Sequence, residues 1–297
     1  MIDLHTHTKY SDGTDDIYQL LSNATKNNIR VLSITDHNSV DSYYEMELFD
    51  INDYYDGSII TGCEFTSVYN DTIIEILGYG FDYKEIKIFL DKYYSKEMID
   101  DNTRTLYLRL MNKIKKYGLK GYFIDRSEET FESEMFIREI YNELAKYPEN
   151  RDILGEDIFG SLHDFYRLGV SNKESKLFIS PGEFRPEIEE VINAIHEARG
   201  ICFLAHPYQY MFDDPEIVIG KIFDTYEFDG IECYYTTFSV NQMAFLRDFA
   251  ERRKLLVCGG SDYHGTNKVN HNLGVGRGNL EINANLLRDW KITYFKK

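Results

Sequence analysis

Basic residues are in short supply. Lysine and arginine number 33 against 50 aspartates and glutamates, a net charge of −17. A field of that sign repels polyanions at long range, which argues against a protein that coats duplex DNA or RNA. Small anionic substrates stay open, because bound divalent cations reverse the sign locally. No run of 18 apolar residues occurs, so no membrane span is expected. The opening "MIDLHTH" has neither a basic nor an apolar stretch, so no signal peptide is expected. Cys63, Cys202, Cys233 and Cys258 lie in apolar runs without CxxC spacing and read as reduced core thiols of a cytoplasmic protein. Internal repeats, low-complexity tracts, a GxSxG elbow and a GxGxxG nucleotide loop are all missing.

What is present is a globular composition, 43% hydrophobic and 15% aromatic, in a chain long enough for one large domain or a domain with an insertion. Seven segments read as strands: "MIDLHTH" (1–7), "VLSITDH" (31–37), "IITGCEFT" (59–66), "TIIEILGY" (72–79), "ICFLAHP" (201–207), "GIECYY" (230–235) and "LLVCGGSD" (255–262). Amphipathic helices are expected over 15–28, 186–198 and 237–252. This alternation predicts an α/β fold with a parallel sheet. Residues 82–183 break the rhythm. Leu106, Leu110, Met111, Ile114 and Tyr117 recur at helical spacing, as do Ile158, Phe159, Leu162, Phe165 and Tyr166. The expectation is a discontinuous barrel of 1–81 and 184–297, with 82–183 as a helical insertion that could serve as a lid.

Residues that suit metal ions gather at the ends of the strand segments. His5 and His7 close the first, Asp36 and His37 the second, Glu64 the third, His206 the fifth, and Asp262 and His264 follow the seventh. Side chains alternate along a strand, so HxH aims both imidazoles to one side, and Asp262 and His264 obey the same rule. In α/β barrels the C-terminal strand ends form the active face, so these residues would converge. His163, His196 and His271 fall outside the pattern and read as ordinary structural or surface histidines. Glu75 raises a separate question, because it interrupts the apolar run of the fourth segment. A carboxylate buried unpaired costs at least several kcal/mol, so it protonates, pairs or binds a metal. It either takes part in a metal site or faces the helical layer and pairs with a lysine or arginine.

The ordered blocks "HTHTKYSDG", "ITDHNS", "GCEFT", "FLAHP" and "GGSDYHG" resemble the motifs of the PHP family, named for polymerase and histidinol phosphatase. The resemblance spans nearly the whole chain. It implies a distorted, TIM-like (β/α)7 barrel with the insertion between strands 4 and 5, two to three divalent metals and phosphoester hydrolysis. "ILGYG" before a helical insertion further resembles the subgroup of nucleoside 3′,5′-bisphosphate phosphatases and short-RNA 5′ exonucleases. By this resemblance His5, His7, Glu64 and Asp262 would hold one metal. Glu64 would bridge to a second, shared with His206, and Asp12, His37 and His264 would hold a third. Imidazole and carboxylate without thiolate suit Mn, Fe or Zn, and the carboxylate share leans toward Mn or Fe.

Two departures stand out. The subgroup usually has histidine where this chain has Glu75, which makes Glu75 a candidate ligand of the second metal. By this resemblance the subgroup's Arg-x-His block on an insertion helix falls near Glu134 and Met135, with Arg138 one turn away and Lys176 further on. The expected activity is a metal-dependent phosphoesterase acting on a small phosphorylated substrate, a nucleotide among the candidates, with a metal-bridging hydroxide attacking phosphorus. His206 and Asp36 are the candidate catalytic residues, Asp36 as an orienter of its neighbours. The rival readings are an amidohydrolase or deacylase on the same scaffold and a non-catalytic metal-binding module.

Overall fold

The computed structural model describes residues 1–124, 133–210 and 212–296. The side chain of Glu134 lies outside the described set. Along the chain the main elements are β1 (Ile2–Asp3), α1 (Ile17–Lys26), β2 (Val31–Ile34), α2 (Asp41–Met46), β3 (Ser58–Tyr69), β4 (Thr72–Tyr79), α3 (Tyr83–Tyr94), α4 (Lys96–Lys116), α5 (Ser133–Leu144), α6 (Glu149–Leu154) and α7 (Leu162–Asp164). They continue with α8 (Ile188–Glu197), β5 (Ile201–Leu204), α9 (Pro215–Thr225), β6 (Gly230–Tyr235), α10 (Val240–Arg253), β7 (Leu256–Gly260) and β8 (Tyr294–Lys296). No described helix is long and apolar enough to cross a membrane.

The helices start where local chemistry directs them. Asp16 accepts from the Gln19 amide while the Gln19 side chain accepts from the Asp16 amide, a reciprocal cap. From there α1 buries Ile17, Leu20, Leu21 and Ala24 as one stripe. Ser239 and Gln242 cap α10 in the same way. The periodic stretch 158–166 is not one continuous helix. Ser161 accepts from the Asp164 amide and starts a new short helix there, followed by a wider turn over Phe165–Val170.

The strands follow the order β1-β2-β3-β4-β5-β6-β7, with β8 pairing outside this path on β3. The ring closes through loop-like bonds: the Leu4 amide donates to Gly259 O, the Asp262 amide to His5 O and the His7 amide to Tyr263 O. The result is an α/β fold with a near-closed seven-stranded barrel. It is not wholly parallel. β4 runs antiparallel to both β3 and β5. The cause is the turn Asn70-Asp71, with φ of 49° and 62°. Two successive left-handed residues make the tight hairpin turn that asparagine and aspartate tolerate best, so β4 folds straight back on β3.

The chain divides into two compact units, Met1–Asp91 with Pro186–Lys297, and Lys92–Arg185. The first holds the barrel, in which Ile2, Leu4, Ile60, Leu77, Phe203 and Trp290 belong to one apolar cluster. The second has its own core around Leu110, Phe136, Ile140, Leu144, Phe165 and Leu177. In that unit Arg138 is exposed and Lys176 donates to Ile153 O.

Candidate metal centre

The barrel brings the strand-end residues together. His5 Nε2 and His7 Nε2 each lie 3.2 Å from Glu64 Oε2, and 3.5 and 3.3 Å from Asp262 Oδ1. Oε2 also lies 3.2 Å from His37 Nδ1, while the other oxygen of Glu64, Oε1, is 2.7 Å from His206 Nε2. Asp12 Oδ1 lies 3.0 Å from His264 Nε2, with His37 and His7 at 3.8 and 3.7 Å. Three overlapping nests result: His5, His7 and Glu64; His37, Glu64 and Glu75; and His7, Asp12, His37 and His264. Glu64, His7 and His37 are each shared by two of them.

Glu75 belongs to this cluster. Its Oε2 is 3.2 Å from His206 and its Oε1 3.5 Å from His37, and its side chain is 22% exposed. Because β4 is reversed, a residue in its first half sits level with the C-terminal ends of its neighbours. Glu75 pairs in register with Thr66, and its carbonyl accepts from the Ala205 amide just before His206. The hydroxyl of Tyr210 pins this point of the strand, accepting from the Glu75 amide at 2.8 Å.

The imidazoles are aimed by partners on their other nitrogen. Glu232 Oε1 takes His5 Nδ1 at 3.0 Å, and Asp262 O takes His264 Nδ1 at 2.9 Å, so each Nδ1 carries the proton and each Nε2 lone pair points into the cluster. The atoms aimed inward are left without a hydrogen bond: His5, His7 and His264 Nε2 and Glu64 Oε2 are all buried orphans. Buried polar atoms are nearly always satisfied, so a convergent set of orphans is the arrangement a cation would complete. With imidazole and carboxylate donors alone, the residues fit first-row divalent ions.

Around the cluster, Asp36 is fully buried and turned to the loop after β1. Its carboxylate accepts from the Thr8 amide, the Thr8 hydroxyl and the Ser11 hydroxyl, each at 2.7 Å. It positions the turn carrying Asp12 rather than reaching the imidazole cluster. On the other flank, Asp262 Oδ2 accepts from the Tyr235 hydroxyl and from Lys268 Nζ, both at 2.6 Å. Asp262 itself has φ 53°, a strained backbone for a non-glycine residue that this web of contacts holds in place. Gly260, two residues before it, is required, since a Cβ there would lie 2.4 Å from the His5 amide nitrogen.

Sequence reasoning overlooked Glu232, Tyr235, Lys268 and Asp3. Asp3 is fully buried and accepts from the Ser261 amide and hydroxyl and the Gly274 amide, tying β1 to the loop that carries Asp262. The signal for Glu232 was available, because "GIECYY" sets a carboxylate inside an apolar strand just as the fourth segment does with Glu75. His271, read as an ordinary histidine, has Nδ1 3.9 Å from Asp262 Oδ2.

The electrostatics suit an exchange of protons for cations. Burial disfavours a charged His7, but the Glu64 and Asp262 carboxylates outweigh it and lift its pKa to about 9. Burial is likewise outweighed at His206, held at about 8 chiefly by Glu64. His37 goes to about 4, because burial and the nearby His7 prevail over the pull of Glu64. Burial, with the charge of Glu64 beside it, pushes Glu75 up to about 7. A raised folded-state histidine stabilises fully below its unfolded value of 6.5 and stops doing so as pH rises through its folded value. Glu75, which keeps its proton longer when folded, also loses stability as pH rises from 4.5 to about 7. His37 acts oppositely, but only below pH 6.5. The chelated protein should therefore lose melting temperature from pH 6.5 to 9, and Mn²⁺ should abolish that fall. Equal pH profiles with and without Mn²⁺ would show that these groups bind no cation.

The PHP domain profile matches residues 3–200. No functionally curated protein matches the chain. Among solved structures, similarity is found to an amidohydrolase from Chromobacterium violaceum with bound sulfate and no metal, at 20% identity and TM-score 0.60, over 92% of this chain and 89% of that one. A candidate metal-dependent phosphoesterase from Bifidobacterium adolescentis is similar at 23% identity and TM-score 0.58, over 96% and 93% of the two chains. At such identities the likeness is one of fold. The match spans two thirds of the sequence and takes in His5, His7, Asp12, His37, Glu64 and Glu75, and on that ground the chain belongs to the PHP domain family.

Proposed function

We propose that this protein is a metal-dependent phosphoesterase that hydrolyses a small or terminal phosphoester. One observation carries the reading: Glu64 is fully buried, with Oε2 toward His5, His7 and His37 and Oε1 toward His206, and Oε2 and the Nε2 atoms of His5 and His7 have no hydrogen bond. In this reading His5, His7, Glu64 and Asp262 hold one cation, Glu64, Glu75 and His206 a second, and Asp12, His37 and His264 a third, so two to three ions of Mn, Fe or Zn. Bound there, such ions neutralise phosphoryl oxygens and acidify water at the site.

The protein's own groups supply orientation and charge. Glu232 fixes the His5 tautomer and accepts from the His206 amide at 2.7 Å, so one carboxylate aligns two imidazoles. Asp36 fixes the turn that presents Asp12. Lys268 is 37% exposed and brings an ammonium to the outer edge of Asp262, where it can meet a phosphoryl oxygen. The acidic chain and the phosphoester class favour a small phosphorylated compound, nucleotides included, over duplex nucleic acid. The reduced, buried cysteines fit a cytoplasmic setting.

The likeness to an amidohydrolase keeps carbonyl hydrolysis as the second reading. Assay of the Mn²⁺-loaded protein on p-nitrophenyl phosphate and a nucleoside 3′,5′-bisphosphate, beside matched ester and amide panels, separates the two. Turnover confined to the carbonyl panel, or tight salt-sensitive binding to duplex DNA, would overturn the proposal.

Glu75 sets the character of the second nest. A carboxylate in place of imidazole makes the site more anionic by one charge, which favours hard cations. Glu75→His should be tolerated and shift preference toward Zn²⁺. Glu75→Leu should lose one metal per chain yet melt no lower in the metal-free state, because a half-buried charge has gone. Metal analysis and thermal melts of both variants decide this. A Glu75→Leu protein that keeps every metal and unfolds would make Glu75 a structural ion-pair partner.

A further inference from the structure

We propose a second, separate metal site at the opposite end of the barrel, formed by His196, Cys202 and Asp229 and suited to a thiophilic divalent ion, zinc foremost. His196 lies in the last turn of α8, Cys202 at the start of β5, and Asp229 directly before β6. Cys202 precedes His206 by four residues on the same strand path, which separates the two places by about 13 Å.

The three ligand atoms already form a small triangle. Cys202 Sγ is 3.4 Å from Asp229 Oδ2 and 3.7 Å from His196 Nε2, and those two are 2.8 Å apart. Zinc bonds of about 2.0 Å to nitrogen or oxygen and about 2.3 Å to sulfur give tetrahedral edges of about 3.3 to 3.6 Å. Two edges fit within a few tenths of an ångström, and the third opens by about 0.5 Å, a small rotation of an exposed imidazole. The Cys202 amide donates to Asp229 Oδ2 at 2.8 Å and pins the carboxylate at the thiol. Cys202 is buried, whereas the His196 and Asp229 side chains are 37% and 31% exposed, so an ion can enter from solvent and water can take the fourth position. Sulfur among the donors distinguishes this trio from the mouth, whose nests hold none.

Binding must balance protons. In the hydrogen-bonded state the thiol proton and the imidazole Nε2 proton both point at Asp229. As the metal–sulfur bond forms, the thiol proton leaves to solvent. The imidazole proton transfers through water to Nδ1, which frees Nε2 as the donor. One proton is released per ion.

Cobalt(II) titration of the whole protein tests this without reference to turnover. A sulfur-to-cobalt charge-transfer band in the near ultraviolet reports a thiolate ligand, and among the metal-type clusters of the described residues only this trio contains a thiol. The expected result is a saturable band of one equivalent, displaced by Zn²⁺ and lost in Cys202→Ser. His196→Ala, at an exposed helix end, should weaken cobalt binding at this site at least about tenfold and keeps the test valid if Cys202→Ser folds poorly. No band in the wild type, or a band of full affinity in either folded variant, overturns the proposal.

Discussion

His206→Ala is expected to cut phosphoester turnover at least about a hundredfold while the barrel stays folded. The imidazole lies against both Glu64 and Glu75, so its loss removes the group that joins the β3 and β4 carboxylates. Its remaining contacts are ring packing against His5, Tyr210 and Tyr235. The His206 amide, which donates to Glu232, belongs to the backbone and survives the substitution. The apolar residues of β5 are likewise untouched. Turnover should therefore collapse with a small change in melting temperature, and the variant should carry fewer metal ions per chain. Near-wild-type activity at full metal loading would remove His206 from the chemistry and with it the proposed division of ligands.

Asp3→Ala should have the opposite profile, a large loss of stability. The carboxylate lies wholly buried and receives the Ser261 amide and hydroxyl and the Gly274 amide at 2.6 to 2.9 Å. Alanine leaves these donors buried without partners and opens a void beside β1. Lost buried partners cost about 1 to 3 kcal/mol each and are not additive, so a total of about 3 to 5 kcal/mol is expected. Urea unfolding measures it directly, and Asp3→Asn should recover part of the loss. A change below about 1 kcal/mol would mean that the loop bearing Asp262 is held by other contacts.

How far the site could be read in advance followed from one rule and its exception. Strand tips of a parallel barrel point one way, so His5, His7, His37, Glu64, His206, Asp262 and His264 could be placed together from spacing. The rule assumes that every strand runs in the same sense. It does not cover β4, where the useful position lies early in the strand. Glu75 stood out because of its chemistry, a carboxylate among isoleucines, and its direction became clear only with the Asn70-Asp71 turn. That turn was visible as two small polar residues between two apolar runs. Glu232 and Asp3 were legible by the same chemistry, but a search led by histidine passes over them. Lys268 and His271 come from an irregular loop, where no periodicity fixes direction. The broken helix over 158–166 has a similar cause, since a serine cap competes with an apolar repeat that alone would run on.

The hairpin of β3 and β4 also orders events during folding. Its strands meet across a two-residue turn, so Glu64 and Glu75 can come together early, before any distant part of the chain arrives. The meeting of β1 with β7 is the reverse case, joining Thr6 to Tyr263 from opposite ends of the sequence. Loop-closure entropy makes such a contact late. Within the site, the Glu64–Glu75 pair is therefore a local contact, and those of His5 and His7 with Asp262 are long-range ones. A cation that spans His5 and Asp262 would act as the clasp of that ring, and its arrival would make the last step of folding hard to reverse.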